Sequence, residues 1–247
     1  MSEFSEYSFL DLVKLAEEDP AAFRDCPPRE RLAAIQGHYR QAWQAVQERH
    51  SAGSSGRSVL TRLSKSADEL VRGIVKFGLA ETDIGSALRQ RIAVVALGGY
   101  GRGELSPRSD LDLCLLYTGK LDAELGALND FLVPIFWDVG FKMGYVLHRV
   151  DEAMALAAAE PEVFTSYSQA RLLLGDDGVF GELETGVDEI QHAQSEGLMT
   201  FLRKRESLEN IPEEYQDLYH PEPDLKENVG GLRDAHIARW IIGLRRG

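Results

Sequence analysis

The stretch from Arg91 to Tyr117, RIAVVALGGYGRGELSPRSDLDLCLLY, constrains the fold of this chain more than any other. An apolar run from Ile92 to Leu97 stops at Gly98-Gly99, passes through a loop bearing glycine and arginine, and resumes as a second apolar run carrying Asp110 and Asp112. Strand side chains alternate faces and rise about 3.3 Å per residue, which places Asp110 and Asp112 on one face with Cα atoms roughly 6.5 Å apart. Leu111, Leu113 and Leu115 then point the other way, into a core. Two aspartates inside so apolar a segment are costly to bury unless a cation compensates them. Mg²⁺ suits such a pair, because it takes a few carboxylates together with substrate phosphate oxygens. Paired metals of this kind stabilise both the attacking and the leaving oxygen in phosphoryl transfer.

Gly98-Gly99 supplies the anion side of the same pattern. Without Cβ atoms, glycines let backbone N–H groups approach an anion and adopt positive φ. A short helix starting near Tyr100 or Gly101 would add a favourable dipole. Arg102 and Ser109 are candidate donors to phosphate oxygens, Ser109 from beside the first aspartate. Either half alone is ordinary: a Gly-Gly after a strand is commonly a turn, and Asp-x-Asp commonly a solvated strand edge. Their conjunction on consecutive strands is what points to nucleotide chemistry.

Composition narrows the partners. The chain has 247 residues and 44% hydrophobic side chains, enough for one large domain or two modest ones. Its formal net charge of −13 disfavours nucleic acid, where affinity comes from neutralising phosphates with Lys and Arg. A protein or small-molecule acceptor is expected instead. Cys26 and Cys114 have neither the number nor the spacing of a disulfide framework or a zinc site, and Cys114 reads as a buried small hydrophobe. With no secretory leader and no apolar run of membrane-spanning length, the expectation is a cytoplasmic protein without a membrane partner.

The periodicity predicts an α+β fold, a small mixed sheet flanked by helices on both sides in sequence. Residues 1–90 read as a helical region, with a turn at Asp19-Pro20, a long helix over Arg29–His50, a Ser/Gly loop at 51–56, and a stripe at Leu60, Leu63, Ala67, Leu70, Val71, Ile74 and Gly78. His38 lacks a second metal-competent residue at helical spacing and reads as packing or surface. Residues 91–150 read as the core, in the order strand, loop, strand, helix over Leu121–Val139 bent or restarted at Pro134, and a strand over Tyr145–Val150. Residues 151–247 read as a helical domain, with helices over Asp151–Ala159, Glu162–Leu174 and Gln191–Leu208, and another after Gly230-Gly231 containing Arg233, Asp234, His236 and Trp240.

The pairing of Gly-Gly with Asp-x-Asp, with residues 100 to 109 between them, resembles the nucleotidyltransferase superfamily that includes DNA polymerase β. The fuller string GGYGRGELSPRSDLDL is similar to the PII uridylyltransferases, and WDVGFKMGYVLHRVDEA and the Lys226…GGLRD segment extend the likeness over roughly Arg57 to Gly247. The resemblance implies transfer of UMP from Mg·UTP to a tyrosine of a PII-type regulatory protein. It implies Asp110 and Asp112 as metal ligands, Gly98, Gly99, Arg102 and Ser109 around the triphosphate, and a C-terminal helical domain that closes the nucleotide cleft. Lys226 and Arg233 become candidates for triphosphate contact, and Asp234 for a metal or orienting role in place of the third carboxylate that Phe141–Val150 lacks.

Two departures stand beside this. Where the family commonly has a histidine after the glycine corresponding to Gly144, and an arginine three residues on, this chain has Tyr145 and His148, with Arg149 one step late. The chain also ends while a helical pattern is running, which reads as a piece of a longer architecture, without the uridylyl-removing and glutamine-sensing parts. The alternatives are an adenylyltransferase acting on glutamine synthetase or a small molecule, and a nucleotide-binding module without catalysis.

Overall fold

The computed structural model describes residues 3–82, 84–140, 142–206 and 224–246. They form two compact units, Met1–Glu152 with Gln169–Glu182, and Ala153–Ser168 with Leu183–Gly247.

In the first unit, four helices build a support: α1 (Phe9–Glu18), α2 (Pro20–Asp25), α3 (Pro28–Ser51) and α4 (Gly56–Glu81). Their ends are written locally. Ser8 and Asp11 form a reciprocal capping box at α1, Asp19 ends α1 and caps α2 ahead of Pro20, and Ser55 caps α4 as the Ser/Gly loop closes. The predicted stripe on α4 is buried at Leu63, Ala67, Leu70, Val71 and Ile74. His38 packs its ring against Phe9 and reaches Glu69 at 3.2 Å, a packing role as expected. Both cysteines are buried.

After the single turn α5 (Ser86–Arg89), the sheet follows. Strands β1 (Ile92–Ala96) and β2 (Leu111–Tyr117) enclose the one-turn helix α6 (Gly98–Gly101). The crossover helix α7 (Ala123–Val139) leads to β3 (Met143–Arg149). The strand order is β3-β2-β1-β4, where β4 is Arg171–Gly175. β1 is antiparallel to β2 and β4, whereas β2 and β3 are parallel, a pairing that requires a crossover such as α7. The sheet is therefore mixed and the fold α+β, as the periodicity predicted.

Two expectations need correction. The helix expected over Glu162–Leu174 ends early: α9 (Pro161–Tyr167) follows α8 (Val150–Ala159), and residues 171–175 are strand β4. Leu172-Leu173-Leu174 is too short for its period to separate helix from strand. The available edge of β1 decides it, with Val94 opposite Leu174 and Val95 opposite Leu172 across an irregularity in register. Arg72 of α4 adds a bond to the Leu173 carbonyl at 2.8 Å. The helix also does not restart at Pro134, since α7 runs across it. Leu128 and Leu132 before the proline and Phe136 after it are all buried, and that packing outweighs the hydrogen bond the proline cannot make.

The second unit contains most of α8, then α9, the greater part of α10 (Asp177–Glu206), and α11 (Leu232–Arg246). α10 begins well before the expected Gln191 because the Asp176 carboxylate accepts from the Val179 N–H at 3.1 Å and caps it. The expected end of that helix at Leu208 lies outside the described residues. Close approach of α8 and α10 is permitted by Gly186, where a Cβ would stand 2.6 Å from Met154 Sδ. Among the described residues, no helix is long and apolar enough to cross a membrane.

Candidate active site

The site in the first unit is made where β1 ends and β2 begins. The Leu97 N–H donates to the Asp112 carbonyl at 2.8 Å, tying the mouth of the loop to the strand that carries the aspartate. Gly98 then turns the chain with φ +54°, a left-handed conformation that L side chains rarely adopt. The N–H groups opening α6 have no carbonyl one turn back, and Leu97 at the cap offers no side-chain acceptor.

Asp112 sits in a cradle formed by two glycines on different elements. On β3 its register partner is Gly144, where a Cβ would lie 2.7 Å from Asp112 Oδ1. On the loop, a Cβ at Gly98 would lie 3.2 Å from Asp112 Oδ2. Both carboxylate oxygens thus occupy space that side chains at 98 or 144 would fill. Asp110 is exposed one residue before β2, with Ser109 exposed beside it, while Leu111, Leu113 and Leu115 are buried on the core side as predicted. Among the described residues, no group of three or more His, Cys, Asp or Glu side chains is arranged to hold a metal. A two-carboxylate donor set suits a hard cation that completes its shell with water and substrate oxygens.

The loop is braced from below. Arg102 donates through Nε to Glu104 at 2.7 Å and through Nη1 to the Gln169 side chain. Its side chain is 11% exposed, so in this structure it holds the loop together rather than reaching outward. Arg171, at the start of β4, clasps the Asp68 carboxylate with two bonds of 2.8 and 3.0 Å. It also donates to the carbonyls of Gly101 and Tyr100, at 3.1 and 3.2 Å. Tyr100 is buried under that guanidinium, and desolvation, followed by the charge of Asp68, pushes its hydroxyl well above the ordinary range. Ser64 on α4 accepts from the Leu105 N–H at 3.0 Å.

In the second unit, the glycine pair at 230–231 starts α11. The Asp224 carboxylate accepts from the Lys226 and Glu227 N–H groups, bonds that hold its pKa below the usual value. The Asp234 carboxylate accepts from the Gly230 N–H at 2.7 Å and closes the first turn. Arg233 makes two bonds to Glu227 at 2.7 and 3.2 Å, and Lys226 lies 3.7 Å from the same carboxylate. Gly98, Gly99, Arg102, Ser109, Asp110 and Asp112 belong to the first unit, and Lys226, Arg233 and Asp234 to the second.

Several contributors escaped the sequence reading. Gly144 was visible only as a position in the family resemblance, and its pairing with Asp112 is set by strand register. Asp68, Gln169, Arg171 and Glu227 carried no motif of their own; an arginine opening an apolar triplet was the faint signal at Arg171. Tyr145, which stands where the family commonly has a histidine, donates from its hydroxyl to Asn129 at 3.0 Å, joining β3 to α7.

Comparison with known proteins agrees with the motif. The family profile described as GlnD PII-uridylyltransferase matches residues 200–247. The chain is 36% identical over 177 residues to a bifunctional uridylyltransferase/uridylyl-removing enzyme of Cupriavidus metallidurans, covering 71% of this chain and 20% of that protein. A protein of the same name from Bradyrhizobium sp. is 34% identical over 203 residues, covering 80% of this chain and 21% of the relative. One from Nitrosococcus oceani is 37% identical over 153 residues, 62% of this chain and 17% of that protein. The chain spans about a fifth of the length of these curated relatives.

Proposed function

Given that the chain is a relative of the PII uridylyltransferases over about a fifth of their length, we propose that it carries their nucleotidyl-transfer chemistry. The reaction is transfer of UMP from UTP to a tyrosine hydroxyl of a PII-type protein in the cytoplasm. The observation that carries this reading is the Asp112 carboxylate held between Gly98 and Gly144, with Asp110 two residues away at the open end of β2.

In the proposed reaction the tyrosine oxygen bonds to the α-phosphorus of UTP. The bond from that phosphorus to the bridging oxygen of the β-phosphate breaks, pyrophosphate leaves, and the hydroxyl proton passes to solvent. Asp110 and Asp112 would hold Mg²⁺, which when bound supplies Lewis-acid stabilisation of charge on the phosphate oxygens. The chain's own part is positioning. We assign the N–H groups of Gly98 and Gly99 and the Ser109 hydroxyl to the triphosphate, with the Arg102–Glu104–Gln169 brace holding the shape of the loop. The proposal takes Lys226 and Arg233 as further triphosphate contacts and Asp234 as an orienting carboxylate. The Glu227 and Gly230 partners of these groups make that assignment the one most exposed to test.

The test is transfer of label from α-labelled UTP, with ATP in parallel, to a purified PII-type protein in Mg²⁺. Label from UTP and not ATP, abolished by Asp110→Asn/Asp112→Asn, is the expected result. Label from ATP alone would favour the adenylyl-transfer reading. Saturable Mg·UTP binding without transfer would favour a non-catalytic module. Full turnover in Asp234→Asn would remove Asp234 from the catalytic set.

A further inference from the structure

A cavity in the first unit is walled in part by the 105–111 segment, Ser109 and Leu111 included. It has a volume of about 340 Å³, in the range of small-molecule sites, and is formed entirely within the first unit. One wall is aromatic: Tyr39 and Trp43, one helical turn apart on α3, hold their rings 6.4 Å apart at 37°. The floor is apolar, from Leu63 and Leu70 of α4. The rim is basic and hydroxylic, with Arg108 in the loop and Lys142 before β3, and Ser106 nearby.

The charges make this cavity unusual for the chain. In a protein of net charge −13, two exposed cations stand at one opening, and neither has an ion-pair partner among the described residues. Arg102 and Arg171, by contrast, are each paired with a carboxylate. Flat aromatic walls over an apolar floor accept a planar apolar body, and two cations with a hydroxyl at the rim accept an anionic group at its end. The interior is too polar at its mouth for a purely hydrocarbon ligand and too apolar at its floor for a bare inorganic anion.

We propose that this cavity binds a small organic anion with a planar aromatic body, its ring against Tyr39 and Trp43 and its anionic group between Arg108 and Lys142. Its lining contains neither aspartate, although Ser109 and Leu111 on either side of Asp110 belong to it, and binding there does not depend on the proposed transfer reaction. Its basic rim includes Arg108, in the loop that delivers Asp110 to β2, and occupancy therefore steadies that loop. The Ser109 N–H already turns back to the Ser106 carbonyl at 3.1 Å, so a ligand against Ser106 and Arg108 adds restraint to an existing turn.

The test uses 1-naphthyl phosphate as probe and 1-naphthol as its uncharged counterpart, titrated calorimetrically into the 247-residue chain. The expected result is saturable binding of one 1-naphthyl phosphate per chain, weakened roughly tenfold or more in both Trp43→Ala and Arg108→Gln/Lys142→Gln. Trp43→Phe should keep the aromatic wall and the binding, a control for misfolding. Asp110→Asn/Asp112→Asn should leave probe affinity unchanged, separating this cavity from the nucleotide cleft. Amide exchange across residues 105–110 should slow when the probe is bound. Equal affinity for 1-naphthol, binding insensitive to the Arg108 and Lys142 changes, or no saturable binding at all would each overturn the proposal.

Discussion

The chain contains two glycine pairs followed by charged residues, at 98–112 and at 230–234, and they use the same ingredients in opposite ways. At the first, glycines make room for a carboxylate: Gly98 and Gly144 leave space that the Asp112 oxygens occupy, and the loop's own arginine is turned inward to brace it. At the second, the charges satisfy each other. Arg233 and Lys226 converge on Glu227, and Asp234 closes its own helix turn on Gly230. Gly231 is needed there because a Cβ would stand 2.7 and 2.8 Å from the Asn228 and Lys226 carbonyls. The same motif of glycine and charge thus serves two ends, making room for a carboxylate in one place and closing a helix turn in the other.

The largest expected effect is at the first pair. Asp112→Asn should lower the rate of UMP transfer by about 10³-fold while leaving the urea unfolding midpoint nearly unchanged, because only charge is removed. Near-normal turnover would erase the distinction between the two regions. Next, Gly231→Ala should destabilise the second unit by about 2–3 kcal/mol, read by urea denaturation, since the atoms it meets are backbone and cannot swing aside. Gly144→Ala should do the reverse. Its Cβ meets the end of the Asp112 side chain, so the cost in stability is small, and transfer should fall about 30-fold with the displaced carboxylate. A variant that loses stability and keeps turnover would mean that the cradle is structural only.

The smallest effect is one of pH. Asp224 has its pKa lowered in the folded chain by the Glu227 and Lys226 N–H groups. Its contribution to stability is therefore fully present above the ordinary carboxylate value and is lost as pH falls through the lower folded one. Asp224→Asn should remove that part of the acid dependence, seen as a flatter plot of unfolding midpoint against pH below about 4. An unchanged acid limb would show that these bonds do not hold the 224–231 turn.

The strand–glycine–strand core and the helical stripe of α4 were legible because each is written in neighbouring residues. Period 2 from Leu111 to Leu115 and three- and four-residue steps from Leu63 to Ile74 need no distant partner to be read. The turn at Asp19-Pro20 and the Ser/Gly loop at 51–56 were equally local. Residues 171–175 were not legible, because Leu172–Leu174 fits either periodicity and becomes a strand only against the edge of β1. Pro134 misled for a related reason: a local rule against proline in helices was overridden by packing on both sides of it.

The same division holds at the site. The sequence by itself determined which residues could do phosphate chemistry, because Gly98-Gly99 and the Asp110/Asp112 alternation follow from backbone geometry alone. Only the tertiary structure decided which of them are committed elsewhere. The parallel register that sets Gly144 beside Asp112, the Asp68 and Arg171 clasp under Tyr100, and the turn of Arg102 toward Glu104 and Gln169 depend on strand pairings and helix packing. Long-range contacts of that kind join residues far apart in the chain, and the spacing along a chain carries no record of them.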